Sequence, residues 1–327
     1  MELEGLKEKA PTLYIVIPCY NEEAVLPITS QQFLEKVNNL YKLNKINNNS
    51  RILFIDDGST DSTWEIINEL AKRDKHFIGI KQSRNRGHQS SLLSGLMEVK
   101  DKADIAISID CDGQDDINAM DKMIDKYIEG YDIVYGVRNN RDTDTVFKRG
   151  TAQLFYKMIN KLGAETIYNH ADYRLTSSKV LNELSNYNEV NLYLRGIFPL
   201  IGFKSTTVEY SRNERIAGKS HYPLGKMLNL AINGITSLST KPIRLITILG
   251  LTISVASFVF IIWIITNILM GTTIQGWVIA IAITSLLCGV QLISIGVIGE
   301  YIGKIYNEVK HRPRYIISER TYSDKTE

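Results

Sequence analysis

Short apolar runs rich in β-branched residues recur along the first part of the chain: TLYIVIP (12–18), RILFID (51–56), FIGIKQ (77–82), IAISID (105–110) and DIVYGV (132–137). Runs of this length and composition predict buried strands. Between them, residues 22–43, 61–73, 87–100 and 117–129 place apolar side chains at helical spacing. Strand–helix alternation predicts a mainly parallel α/β sheet covered on both faces. Ligands of such sheets sit beyond the carboxyl ends of the strands. Those ends read PCYNEE, DDGSTD, SRNRGHQ, DCDGQDD and GVRNNR, groups that suit phosphate, metal or a base.

The pattern changes near the C-terminus. No charged residue occurs from Leu245 to Leu269 or from Trp277 to Gly299, and only GTTIQG (271–276) intervenes. At about 1.5 Å per residue, each run can cross a hydrocarbon core of roughly 30 Å. A tight hairpin of two spans, 245–269 and 277–299, is predicted. Lys241 and Arg244 precede it and Lys304, Lys310, Arg312 and Arg314 follow it, which places both ends in the cytosol. Residues 1–222 then form a cytosolic catalytic domain and 300–327 a cytosolic tail. Residues 223–244 link the two. Their apolar side, with Leu224, Met227, Leu228, Ala231, Ile232, Ile235 and Leu238, suits either a helix in the membrane interface or one packed on the domain.

Composition narrows the function. Thirty-eight Lys and Arg against 36 Asp and Glu leave a net charge of +2, too little for the basic field of a nucleic-acid binder. The three cysteines, Cys19, Cys111 and Cys288, form no CxxC pair, so neither a disulfide framework nor a zinc site is expected, and a reducing compartment is. The charged first residues contain no signal peptide.

The acidic stretch SIDCDGQDD (108–116) raises the sharpest chemical question. Period-two alternation puts the Asp110 and Asp112 carboxylates on one side and Cys111 on the other, toward the core. Paired hard oxygen ligands suit Mg2+ or Mn2+, which would also hold substrate phosphates. A solvated acidic loop shows the same pair, so Asp-x-Asp alone does not decide. Asp56-Asp57-Gly58 ends another strand in a tight turn, with Asp61 placed to cap the next helix and Asp57 able to accept from a nucleobase or ribose. Tyr20 offers a flat face beside Asn21 and Glu22. Gly87 stands at a helix N-terminus, a favourable place for phosphate.

Pro18-x-Tyr20-Asn21-Glu22, Asp56-Asp57-Gly58-Ser59-x-Asp61-x-Thr63, Asn85-x-Gly87, Asp110-x-Asp112-x-Gln114 and Arg215-x-x-Gly218-x-Ser220 occur in order. Together with the C-terminal hairpin and the tail GEYIGKIYNEVKHRPRY (299–315), they resemble glycosyltransferase family 2, in its polyprenyl-phosphate branch. The resemblance covers nearly the whole chain and implies a GT-A fold. It implies that Pro18, Tyr20, Glu22 and Asp57 hold the nucleotide, and that Asp110, Asp112 and Gln114 bind metal and donor diphosphate, with Cys111 between them and Arg138 nearby. Asp172, in HADYRL, stands at a position tied to catalysis or the acceptor, and Arg215 would meet phosphate. The branch usually has Lys where this chain has His221, which would face a phosphate or pack beside Tyr222.

The implied reaction moves a hexose from a nucleotide sugar, UDP-glucose first and UDP-N-acetylglucosamine second, to a polyprenyl phosphate with inversion. A membrane-bound homo-oligomer, a tetramer, is expected, with no nucleic-acid partner. A processive polysaccharide synthase would carry Gln-x-x-Arg-Trp, and none of Trp64, Trp263 and Trp277 follows an Arg. A non-catalytic nucleotide-sugar scaffold would have little use for both carboxylates and Gln114.

Overall fold

The computed structural model describes residues 10–139, 170–189, 193–212, 241–270 and 276–323. The five predicted strands form: β1 (Leu13–Cys19), β2 (Arg51–Asp56), β3 (Phe77–Gln82), β4 (Ile105–Ser108) and β5 (Ile133–Arg138). The helices between them are α1 (Leu26–Lys42), α2 (Thr63–Arg73), α3 (His88–Val99) and α4 (Ala119–Ile128). Then follow β6 (His170–Ser177), α5 (Ser178–Leu184), α6 (Leu194–Ile201), β7 (Ser205–Tyr210), α7 (Lys241–Leu269), α8 (Gly276–Val309) and β8 (Ile317–Arg320).

The strands make one eight-stranded sheet in the order β7-β5-β6-β4-β1-β2-β3-β8. The pairs β1–β2, β1–β4, β2–β3 and β5–β7 are parallel, whereas β6 and β8 join antiparallel. Alternate residues of each central strand feed two separate cores. Leu13, Ile15 and Ile17 of β1 and Ile52 and Phe54 of β2 enter one; Val16, Leu53 and Ile55 enter the other. Burial on both faces is why these strands read as continuous apolar runs. Each such side chain taken out of water contributes about 1.5–3 kcal/mol.

Three strands, β6, β7 and β8, lacked a sequence signal. β6 runs antiparallel to β4, pairing Ser108 with Arg174, so its N-terminal end arrives at the carboxyl edge of β4. β8 comes from beyond α8 and completes the sheet beside β3. Gly79 accepts it: its N–H donates to Thr321 Oγ1 at 2.8 Å and its carbonyl accepts from Thr321 N at 3.0 Å. A Cβ at Gly79 would lie 2.3 Å from Ile67 Cγ2, so the strand there must be bare for α2 to pack. Glu98 of α3 fixes the same tail, accepting from Arg320, Tyr322 and Lys102.

The chain divides into two compact units, with α7 and α8 in the second and the sheet in the first. Both uncharged runs are helical as expected, although α7 begins at Lys241 and α8 continues to Val309. Among the described residues, one stretch, Leu287–Val309, is long and apolar enough to cross a membrane, with mean hydropathy 1.3. The two spans at 245–269 and 277–299 are therefore not both recovered. Large apolar side chains including Phe258, Val259, Trp263, Leu292 and Ile293 are exposed within this unit. Most of the predicted interfacial segment, 223–240, lies outside the described residues.

Candidate active site

The β1–β2 register brings Cys19 beside Asp56, and the loops beyond them are stitched together. Asn21 N donates to Ser59 Oγ at 3.0 Å, Glu22 N to Thr63 Oγ1 at 2.9 Å, and Thr60 N to Asn21 Oδ1 at 2.9 Å. Asp61 does serve the start of α2, accepting from Thr63 N and Thr63 Oγ1. Tyr20 stands out from this platform, 46% exposed, with its ring available for stacking. Pro18 is half-buried at the end of β1.

Asp57 is buried, and its two oxygens accept from Arg86 N and Gly87 N, each at 2.9 Å. A carboxylate thus takes the amides that the sequence offered to a phosphate. Burial pushes the Asp57 carboxyl up, and the two amides oppose that shift. Gly58 explains why the two loops fit. At φ +66° its Cβ would lie 2.6 Å from the backbone carbonyl carbon of Arg84. Only glycine meets both demands.

Beyond β4, Asp112 Oδ1 accepts from Gln114 N at 3.1 Å and closes the turn. Cys111 lies in the core, 3% exposed, its sulfur 3.8 Å from Thr29 Oγ1, so its side chain faces away from the site. Gln114 Oε1 accepts from Arg212. Arg138 donates to Asp115 Oδ1 at 3.1 Å and to the Tyr210 hydroxyl at 3.1 Å, and Tyr210 in turn donates to Asp115 at 2.7 Å. Arg215 and His221 lie outside the described residues.

Antiparallel β6 places Asp172 next to this edge, with its side chain 6% exposed. Arg195 of α6 grips it at two points, Nε to Oδ1 and Nη2 to Oδ2, both 3.0 Å. His88 Nε2 lies 3.2 Å from Asp172 Oδ2 and 3.8 Å from Asp110 Oδ1, bridging the two carboxylates. Gln89 Nε2 donates to Oδ2 at 3.4 Å. Burial would raise the Asp172 carboxyl, but the Arg195 charge and the His88 and Arg195 hydrogen bonds hold it well below the usual range. Burial pulls His88 down, yet the Asp172 hydrogen bond and the Asp110 and Asp172 charges lift it to about 9. Asp110 is also raised, to about 6: burial raises it, His88 opposes, and the Asp115, Asp172 and Asp112 charges add to the rise.

Among the described residues no three His, Cys, Asp or Glu side chains converge as a protein-only metal cage requires. Asp110 and Asp112, two residues apart beyond β4, supply hard carboxylate oxygens that fit a divalent cation completing its shell with substrate and water oxygens. Asp110 and Asp112 are the residues that would hold it.

The sequence had singled out Asp110, Asp112 and Asp172 but not His88, which links Asp110 to Asp172, nor Gln89, Arg174 and Arg195, which surround Asp172. His88 and Gln89 lay inside the quoted RNRGHQ stretch with no role attached. Arg195, in LYLRG, carries no motif signal at all.

The carboxyl edge of a mainly parallel sheet thus gathers Tyr20, Asp110, Asp112 and the Arg195-held Asp172. Residues 14–185 match glycosyl transferase family 2, and the chain belongs to that family. It is 50% identical over 320 residues to the uncharacterized glycosyltransferase YkoT of Bacillus subtilis, covering 98% of this chain and 95% of that one. It is 41% identical over 308 residues to the bactoprenol glucosyl transferase of Shigella phage SfX, covering 94% of this chain and 98% of that one. A prophage bactoprenol glucosyl transferase homolog of Escherichia coli K12 is 39% identical, covering 93% of this chain and 97% of the relative. Among solved structures, a mannosyltransferase from Pyrobaculum calidifontis is similar at 15% identity and a TM-score of 0.44, over 66% of this chain and 60% of that one.

Proposed function

We propose that the chain transfers glucose from UDP-glucose to a polyprenyl phosphate, with inversion at the anomeric carbon. The observation that carries this reading is the end-to-end similarity to proteins named bactoprenol glucosyl transferases, which includes the apolar C-terminal helices as well as the catalytic unit.

The nucleophile is a phosphate monoester oxygen, whose second pKa lies near about 6, so it is largely ionised at neutral pH. No strong general base is needed. Asp172 suits that demand, because a carboxylate held charged by Arg195 and His88 is a poor proton acceptor and a good orienting group. Tyr20 stacks on the nucleotide base, with Pro18 and Glu22 beside it, and Asp57 shapes the donor site by fixing the 84–87 loop. Arg138 and Gln114 line the diphosphate side, and Arg215 and His221 add positive charge there. A divalent cation, Mg2+ or Mn2+, held by Asp110 and Asp112 would supply neutralisation of the departing diphosphate.

Connectivity supports a paired membrane crossing. β8 follows α8 in sequence yet hydrogen-bonds to β3 of the catalytic sheet. An odd number of crossings between β7 and β8 would strand β8 on the opposite side of the bilayer. α7 and α8 crossing as a pair meets that constraint, and the basic flanks favour a cytosolic catalytic unit. The homo-oligomeric state belongs to the same reading.

The test is to incubate the purified protein with polyprenyl phosphate and a panel of radiolabelled nucleotide sugars. Transfer from UDP-glucose in preference to UDP-N-acetylglucosamine and GDP-mannose supports the reading. Label incorporation into a growing polymer, or no incorporation from any donor, contradicts it.

A further inference from the structure

Arg174 is the most anomalous side chain in the catalytic unit. It is wholly buried, and among the described residues none of its Nε, Nη1 and Nη2 atoms has a hydrogen-bond partner. Its guanidinium lies 3.9 Å from the centre of the Phe198 ring and 5.4 Å from that of Tyr135. Among the described residues its carboxylate neighbour is Asp172, with Oδ1 4.0 Å from Nη2. A buried cation without hydrogen bonds is costly, so its retention calls for an explanation, and a second state in which it is satisfied supplies one. The gap to Asp172 exceeds a charge-assisted hydrogen bond by about 1 Å.

The place beside Asp172 is taken by Arg195, whose side chain is 30% exposed while Asp172 and Arg174 are sealed in. Arg195 and Phe198 sit three apart on α6, hence on the same helix face. A shift of α6 that draws Arg195 away from Asp172 also moves the ring against Arg174. On the other side, His88 links Asp172 to Asp110, so Asp172 and His88 connect Arg195 to the Asp110 carboxylate.

We propose that Arg195 receives the phosphate of the acceptor and that Arg174 replaces it on Asp172 as it does so. The inference deepens the proposed glucosyl transfer to a polyprenyl phosphate and rests on that reading. The planar fork that now grips a carboxylate at two points matches a phosphate monoester equally well. Left alone, the exchange would leave the buried Asp172 carboxylate to His88 and Gln89; with Arg174 behind it, Asp172 keeps an arginine beside it throughout. Asp172 is thereby a positioning residue, and the two arginines are its alternative partners.

The experiment measures binding of farnesyl phosphate, farnesol, inorganic phosphate and UDP to the full-length protein, alongside KM for each substrate of transfer. Wild type binds farnesyl phosphate more tightly than farnesol. Arg195→Ala shrinks that difference, and raises acceptor KM, by about tenfold to hundredfold, with UDP affinity and donor KM held within about twofold. Arg195→Lys recovers only part, because the two-point contact is lost. Arg174→Met removes a buried charge in favour of an apolar side chain of similar length, so it keeps the fold and still weakens farnesyl phosphate. An undiminished preference for farnesyl phosphate in Arg195→Ala overturns the assignment, and in Arg174→Met it overturns the exchange. Inorganic phosphate competing as strongly as farnesyl phosphate would make this a free-phosphate site and also overturn it. Absence of glucosyl transfer by wild type counts against the proposed function; the binding comparison reads Arg195 regardless.

Discussion

Arg195 and Asp172, 23 residues apart, meet in a two-point ion pair with both contacts at 3.0 Å. The pair joins a short helix to an antiparallel strand, and it keeps the acid charged. Asp172→Asn leaves Arg174 buried without its nearby countercharge and Arg195 without its grip. Removing one partner of a buried pair costs about 3–5 kcal/mol, so thermal unfolding of the catalytic unit should move down markedly. A variant with wild-type stability that lost turnover alone, together with the acidic limb of its pH–rate profile, would mark Asp172 as a proton acceptor instead.

Asp112→Asn should behave differently. The side-chain oxygen that accepts from Gln114 N survives in Asn, so the turn after β4 is kept. What disappears is the charge that complements a divalent cation on the departing diphosphate. Turnover should fall about 10²- to 10³-fold with the melting temperature nearly unchanged. Near-wild-type turnover at saturating Mg2+ or Mn2+ would remove Asp112 from the metal site.

For Asp57 the structure and the motif make separable predictions. With both oxygens on the Arg86 and Gly87 amides, Asp57→Asn loses one acceptor and should destabilise the nucleotide-free protein by about 1–3 kcal/mol. Donor KM rises as a consequence of the loosened loop. Wild-type stability with a raised donor KM would mean direct contact with the nucleotide instead.

Glu98 provides a pH test away from the site. Burial alone would raise its carboxyl; the Arg320, Tyr322 and Lys102 hydrogen bonds and the Lys102 charge hold it below the usual value. A depressed carboxylate stabilises the fold above its unfolded pKa, about 4.3, and that contribution is lost as pH falls through the lower folded pKa. Glu98→Gln should therefore be less stable than wild type at pH 7, by about 1–3 kcal/mol, with the gap closing below about pH 4.3. Thermal unfolding between pH 3 and 7 reads it directly. A gap independent of pH would mean that the charge on Glu98 does not secure the tail.

The five parallel-type strands and their helices were legible because burial on both faces turns each strand into an unbroken apolar run. The same logic hid β7, STTVEY, which lies at a sheet edge with only Val208 and Tyr210 buried. β6 was hidden for another reason: HADYRLTS buries charge, and Asp172 and Arg174 make sense only once α6 and α3 surround them. β8 has four residues and gains its place through Gly79 and Glu98, far away in sequence. For the site, acidic residues at strand ends were visible because they are local to one loop. Arg195 and His88 were not, since their meaning lies in distances between loops.

The central claim is tested most directly by isolating the lipid product formed from UDP-glucose and undecaprenyl phosphate and measuring its mass and anomeric configuration. The account predicts a gain of one hexose with no added phosphate, in β linkage to the lipid phosphate, and no product when undecaprenol replaces the phosphate. A product gaining hexose and phosphate together, an α linkage, or equal transfer to undecaprenol would contradict it.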